Sequence, residues 1–176
     1  MKLLKLTVLL IFLFAILSCG GNEKKKEESS SKKKIETPKQ IEPKVDLYSD
    51  IEASNDILLT SNDASKYSKE ILKVEGGKKV KITFKHTGKM NKKVMGHNFV
   101  LLKKGVSMAS FGKEAAKAVS NEYIPENTQD VIAHTKLIGG GEETTIEFDA
   151  PEAGTYRFIC SFPGHYAAMK GKFIVI

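Results

Sequence analysis

The last seventeen residues carry the strongest constraint in this chain, the run Cys160-Ser161-Phe162-Pro163-Gly164-His165-Tyr166-Ala167-Ala168-Met169, or C-x4-H-x3-M. Cys160 closes the segment Tyr156 to Cys160, which reads as a strand. His165 follows a Pro-Gly turn, and Met169 precedes a second strand candidate, Phe173 to Ile176. One loop between two strands therefore presents a thiol, an imidazole and a thioether to the same region. Such a loop needs a stiff scaffold at both ends.

Far upstream, Met95-Gly96-His97-Asn98 supplies a second imidazole. One thiolate and two histidines, with a thioether as weak axial ligand, form the trigonal donor set of blue-copper electron-transfer sites. Three strong ligands fixed by a rigid frame hold a geometry intermediate between those the two copper oxidation states favour. Little then has to move when an electron arrives or leaves. Cysteine usage points the same way. The chain has two cysteines, Cys19 and Cys160. With Cys19 assigned to lipid, as argued below, Cys160 is a lone thiol in an exported protein, where cysteines normally pair. That requires a reason, and metal binding is one.

The export reading rests on residues 1–18. Lys2 and Lys5 precede a long aliphatic run, Leu6 to Leu17, the form of a secretory signal. The run is short for a membrane span, which needs about 20 apolar residues. It ends at Leu17-Ser18-Cys19-Gly20, which resembles the lipobox of bacterial lipoproteins. That resemblance implies cleavage before Cys19 and lipidation of Cys19. Residues 19–50 are then a lipidated cysteine followed by a solvated tether. The lysine triplets Lys24 to Lys26 and Lys32 to Lys34 are interleaved with glutamates and serines, and hydrophobic periodicity is absent. Eight lysines stand against seven acids from Gly20 to Asp50, so neither nucleic acid nor anionic lipid is the expected partner of this stretch.

Residues 51–176 make one domain of ordinary size, able to bury a single core. Lys79 to Lys85 and Thr144 to Asp149 alternate apolar and polar with period two, as half-buried strands do. Shorter strand candidates are Asp56 to Leu59, Lys69 to Val74, Phe99 to Leu102 and Val131 to Leu137. Glycine and proline clusters punctuate them as turns. Ala109 to Val119 reads as the single helical insertion. The expectation is an all-β Greek-key sandwich or barrel of about eight strands with one short helix.

Three segments sharpen this. Val94 to Leu101, Val131 to Gly139, and Cys160 to His165 with Met169-Lys170-Gly171 resemble azurin and its auracyanin relatives, in the same order, across nearly all of residues 51–176. The resemblance implies a cupredoxin fold and one type 1 copper ion held by His97, Cys160 and His165. Met169 is then axial on one side, with the carbonyl of Gly96 facing it on the other. Asn98 is implied to brace the thiolate loop, and Phe162 to lie just outside the ligands. The sequence also departs from azurin. There is no cysteine for an N-terminal disulfide, and Phe99 stands where azurin usually carries tryptophan. The match is poor between Ser107 and Thr128.

The implied function is one-electron transfer at a bacterial envelope, facing periplasm or cell surface, with no catalytic residue and no small-molecule substrate. Redox proteins such as a cytochrome, oxidase or dehydrogenase are the expected partners. Met95, Pro163, Ala167 and Ala168 form an apolar surface for docking around His165. Lys89, Lys92 and Lys93 are placed to steer an acidic partner, or are simply a solvated loop. Copper storage or delivery is the alternative, and a Cys-His hydrolase a third, less complete reading. His134 reads as a surface strand histidine, and His86 as a structural or pH-sensitive group near the site.

Overall fold

A computed structural model describes residues 48–176. The expected signal at 1–18, the lipidation at Cys19 and nearly all of the expected tether lie outside these residues. Within them the chain forms nine strands and two short α-helices. The strands are β1 (Asp56–Asn62), β2 (Lys66–Tyr67), β3 (Ile71–Val74), β4 (Lys79–His86), β5 (Val100–Leu102), β6 (Val131–His134), β7 (Glu143–Asp149), β8 (Gly154–Ile159) and β9 (Lys170–Val175). The helices are α1 (Lys92–Met95) and α2 (Met108–Ala115).

Two sheets result, one of order β2-β1-β4-β7 and one of order β3-β9-β8-β5-β6. β1 runs parallel to β4 and β3 parallel to β9, while the remaining neighbours are antiparallel. Parallel neighbours that are distant in sequence need crossovers between the sheets, as a Greek-key sandwich has. The all-β expectation holds. Alternation decides which residues enter the core. Along β4, Val80, Ile82 and Phe84 are fully buried, and β1 contributes Ile57 and Leu59. From the other sheet come Leu72, Val74, Phe158, Phe173 and Val175.

Several boundaries differ from the sequence reading. β1 runs three residues further, to Asn62, and β2 has only two residues, too few for a periodic signal. Helix α2 stops at Ala115, and a separate 3-10 turn covers Val119–Asn121. β6 ends at His134 instead of Leu137; beyond it Thr135 and Leu137 are buried, and His97 forms an isolated bridge to Ile138. The folded body also includes residues 48–50, expected in the tether. They make a turn in which Ile51 N–H donates to the Tyr48 carbonyl, and Lys73 Nζ donates to that same carbonyl at 3.0 Å.

Candidate metal centre

Cys160, His165 and Met169 sit in the connection between β8 and β9, as their spacing implied. Backbone bonds close this connection into a tight ring. Cys160 N–H donates to Met169 O at 3.0 Å, and Met169 N–H to His165 O at 2.7 Å. Gly164 takes φ 83°, a left-handed turn natural to glycine, and starts the 3-10 turn His165–Ala167. Gly171 is required just beyond, because a Cβ there would fall 2.2 Å from the Phe158 ring.

His97 reaches the same point from the segment between α1 and β5. Asn91 caps α1 by accepting the Lys93 N–H, and the helix ends at Gly96 in extended geometry. A Cβ at Gly96 would lie 2.5 Å from the Lys92 carbonyl and 2.9 Å from Leu137. Only glycine lets the chain turn here and deliver His97.

Among the described residues, His97, Cys160 and His165 form a metal-sized cluster, with all three donor atoms within 4.8 Å of one another. Cys160 Sγ lies 3.8 Å from His97 Nδ1 and 3.7 Å from His165 Nδ1, and the two nitrogens are 3.2 Å apart. Two nitrogens and a sulfur spaced this way match donors about 2.0–2.3 Å from a common centre. The Gly96 carbonyl is 3.9 Å from the sulfur. Met169 is fully buried and packs with Cys160, Leu137 and Phe162.

Surrounding groups fix the orientation of each donor. His97 Nε2 donates to the Asn62 carbonyl at 3.0 Å, which leaves Nδ1 as the lone-pair nitrogen facing the centre. His86 is buried and stacks on His97, with ring centroids 4.5 Å apart and planes 25° from parallel. Its Nδ1 accepts the Gly88 N–H, so Nε2 is the protonated nitrogen and donates to the Met95 carbonyl at 3.1 Å. Both nitrogens are occupied, and His86 serves as a structural histidine. His134 is exposed on β6 and stands apart from the site.

Asn98 bridges the two ligand-bearing segments. Its side chain bonds both the Oγ and the N–H of Ser161, and its own N–H, with that of Phe162, is directed at the Cys160 sulfur. Phe162 packs its ring 4.6 Å from His165 and 5.1 Å from Tyr123. Pro163, Ala167 and Ala168 are exposed and Met95 is half-buried, its sulfur accepting the Ser65 hydroxyl.

Burial keeps every donor neutral in the absence of a cation. It pushes the Cys160 thiol up to about 12, against the opposing pull of the Asn98 and Phe162 amides. It holds His97 down at about 4, opposed by the Asn62 carbonyl, and it lowers His165. A thiol and two neutral imidazoles become a strong ligand set when a cation displaces one proton. The donor set therefore fits copper. Sequence reading placed His86 near the site but missed Asn62, Ser161 and Tyr67 as its supports. Their contacts join residues thirty or more positions apart, most of them through a main-chain group, which leaves no spacing signal.

The comparisons agree with this geometry. Residues 54–176 match the model for copper binding proteins of the plastocyanin/azurin family. Azurin-1 of Alcaligenes xylosoxydans xylosoxydans is 40% identical over 117 residues, spanning 64% of this chain and 91% of that protein. Outer membrane protein H.8 of Neisseria gonorrhoeae is 40% identical over 119 residues, 66% of this chain and 64% of that longer protein. Among solved structures, reduced auracyanin from Roseiflexus castenholzii superimposes with a TM-score of 0.65 at 36% identity, over 71% of this chain and 99% of the auracyanin. An azurin from Methylomonas sp. strain J superimposes equally well, at 34% identity. With a Cys-His-His cluster among the described residues of a two-sheet sandwich, and with these relatives, the chain belongs to the plastocyanin/azurin family of copper-binding proteins.

Proposed function

We propose that this protein is a one-electron carrier tethered to a bacterial envelope membrane. His97, Cys160 and His165 would hold the copper ion, with the Met169 thioether and the Gly96 carbonyl as weaker donors beside them. When bound, copper supplies a one-electron cupric/cuprous couple. The observation that carries this reading is the convergence of Cys160 Sγ and two Nδ1 atoms at 3.2–3.8 Å in a braced cluster. A closed set of this kind suits electron transfer, in which the ligands stay put, better than storage, in which the ion must leave. Among the described residues the hydrogen-bond partners of the His165 ring are Cys160 and His97, with no acid to orient it as a general base.

His165 is the half-exposed ligand and the natural electron exit. Phe162 packs against it, and Met95, Pro163, Ala167 and Ala168 are the apolar residues we assign to docking, suited to the small interfaces of transient redox encounters. The exposed Lys89 and Lys93, with Lys92 paired to Glu122, favour a partner with an acidic rim. A cytochrome, oxidase or dehydrogenase fits that description. Membrane attachment through Cys19 is supported by the Leu17-Ser18-Cys19-Gly20 run and by a relative named as an outer membrane protein.

The test is optical. Copper-loaded protein turns intensely blue when oxidised, bleaches reversibly on reduction, and loses the colour in Cys160→Ser. Protein that stays colourless through oxidation refutes the carrier. For the anchor, Cys19→Ala moves the protein from the membrane to the soluble fraction, and unchanged retention refutes lipidation.

A further inference from the structure

Tyr67 occupies an unusual position between the sandwich core and the metal centre. Strand β2 holds it through a short ladder in which Ser61 pairs with Tyr67. Its ring lies 6.0 Å from Phe84 and 5.4 Å from Phe158, within the main core. The same residue packs against the smaller cluster of Leu137, Cys160, Phe162 and Met169. A phenol wedged between apolar rings has to place its hydroxyl on a partner. It donates to the main-chain carbonyl of Asn98 at 2.5 Å. The hydroxyl is the donor, since a carbonyl oxygen only accepts.

Asn98 is gripped at four points. Its side chain bonds Ser161 twice, its N–H is directed at the Cys160 sulfur, and its carbonyl receives Tyr67. The first three contacts all lead to the ligand loop. The fourth ties Asn98 to strand β2 of the opposite sheet.

We propose that Tyr67 is a positioning residue of the copper site, holding Asn98 so that its amide stays bonded to the Cys160 sulfur and thereby raising the reduction potential. The inference rests on the electron-carrier reading for its redox consequence. An N–H bond to the thiolate withdraws electron density from it and favours the cuprous state. Loss of the Tyr67 hydroxyl leaves a buried carbonyl without its donor and frees the Asn98 backbone to shift. The sulfur then donates more strongly, and the cupric state gains.

The experiment compares the full chain with Tyr67→Phe, which keeps the ring and removes only the hydroxyl. In copper-loaded protein the expected result is a lower reduction potential and a displaced blue absorption band. In copper-free protein, exchange of the Asn98 backbone amide accelerates roughly tenfold, the scale of one lost net hydrogen bond. Tyr67→Leu removes the ring as well, and is expected to unfold more easily while moving the potential no further than Tyr67→Phe. A Tyr67→Phe protein with unchanged potential, band and Asn98 exchange overturns the proposal and leaves Tyr67 as core filler. A Tyr67→Leu potential displaced well beyond that of Tyr67→Phe overturns it too, since ring packing is then the cause. If the unsubstituted chain takes no blue colour, the carrier reading fails, while Asn98 exchange in copper-free protein still judges Tyr67.

Discussion

Asn98 and Ser161, sixty-three positions apart in the chain, are joined by a reciprocal pair of hydrogen bonds: Asn98 Nδ2 donates to Ser161 Oγ at 2.8 Å, and Ser161 N–H donates to Asn98 Oδ1 at 2.9 Å. Both residues are fully buried. The pair locks the segment carrying His97 to the loop carrying Cys160, so the two cannot drift apart when the charge of the site changes.

Removing that clamp tests its structural weight. Asn98→Ala leaves the Ser161 N–H and hydroxyl buried without partners, which costs about 2 kcal/mol. Denaturant unfolding of the copper-free protein measures the loss. The copper-loaded variant is expected to show a displaced blue band as well. Stability within about 0.5 kcal/mol of the parent, the range of neutral surface changes, would contradict the clamp.

Met169 separates packing from ligation. It is fully buried against Cys160, Leu137 and Phe162, and leucine has nearly its volume. Met169→Leu therefore costs less than about 1.5 kcal/mol. If the thioether is an axial donor, its removal withdraws support from the cupric state and raises the reduction potential. An unchanged potential in a well-folded variant would assign Met169 to packing alone.

The pH dependence of copper-free protein follows from two opposite shifts. His97 falls from 6.5 to about 4, so folding favours its neutral form. That contribution is complete above about pH 6.5 and is lost as pH falls toward 4. His165, also lowered by burial, acts in the same direction. Cys160 rises from 9.0 to about 12, so its contribution is complete below about pH 9 and is lost as pH climbs toward 12. Melting temperatures are expected to plateau between about pH 6.5 and 9 and to fall on both sides. Copper releases the Cys160 proton on binding, and the alkaline decline then disappears. A decline that survives copper loading would mean the thiol keeps its proton.

Gly112 couples the helical insertion to the ligand loop. A Cβ there would stand 2.4 Å from Cδ1 of the Tyr166 ring, next in sequence to His165. Gly112→Ala is expected to force the ring aside and cost about 1–3 kcal/mol as overpacking. It should also displace His165 and alter the copper spectrum, which circular dichroism in the visible would register. A destabilised variant with the parent spectrum would show that the strain stops at Tyr166.

Much of this centre was legible beforehand because the donors Cys160 and His165 are local and the frame around His97 is compact. Period two in β4 and β7 gave the core faces directly, since solvent wets one side of each strand. The supports were hidden for a different reason. Tyr67 lies on a strand of two residues, and its value comes from a main-chain carbonyl thirty-one positions away. His86 ends a clear strand, but its stacking on His97 depends on how β4 abuts the α1 segment. Helix α2 was expected four residues too long because Ala116 and Ala118 favour helix, while Glu122 and Tyr123 take left-handed backbone conformations that send the chain back toward the site.

The hydrogen bond from Cys160 N–H to the Met169 carbonyl seals the ligand loop at its base, where β8 and β9 are already paired. Whatever lies above that seal is topologically a cassette. Residues inserted there lengthen a loop already closed by its neighbours, and each doubling adds only about 0.6 kcal/mol of closure entropy. Evolution can therefore retune colour and driving force by editing a ten-residue stretch, while the sandwich below folds as before.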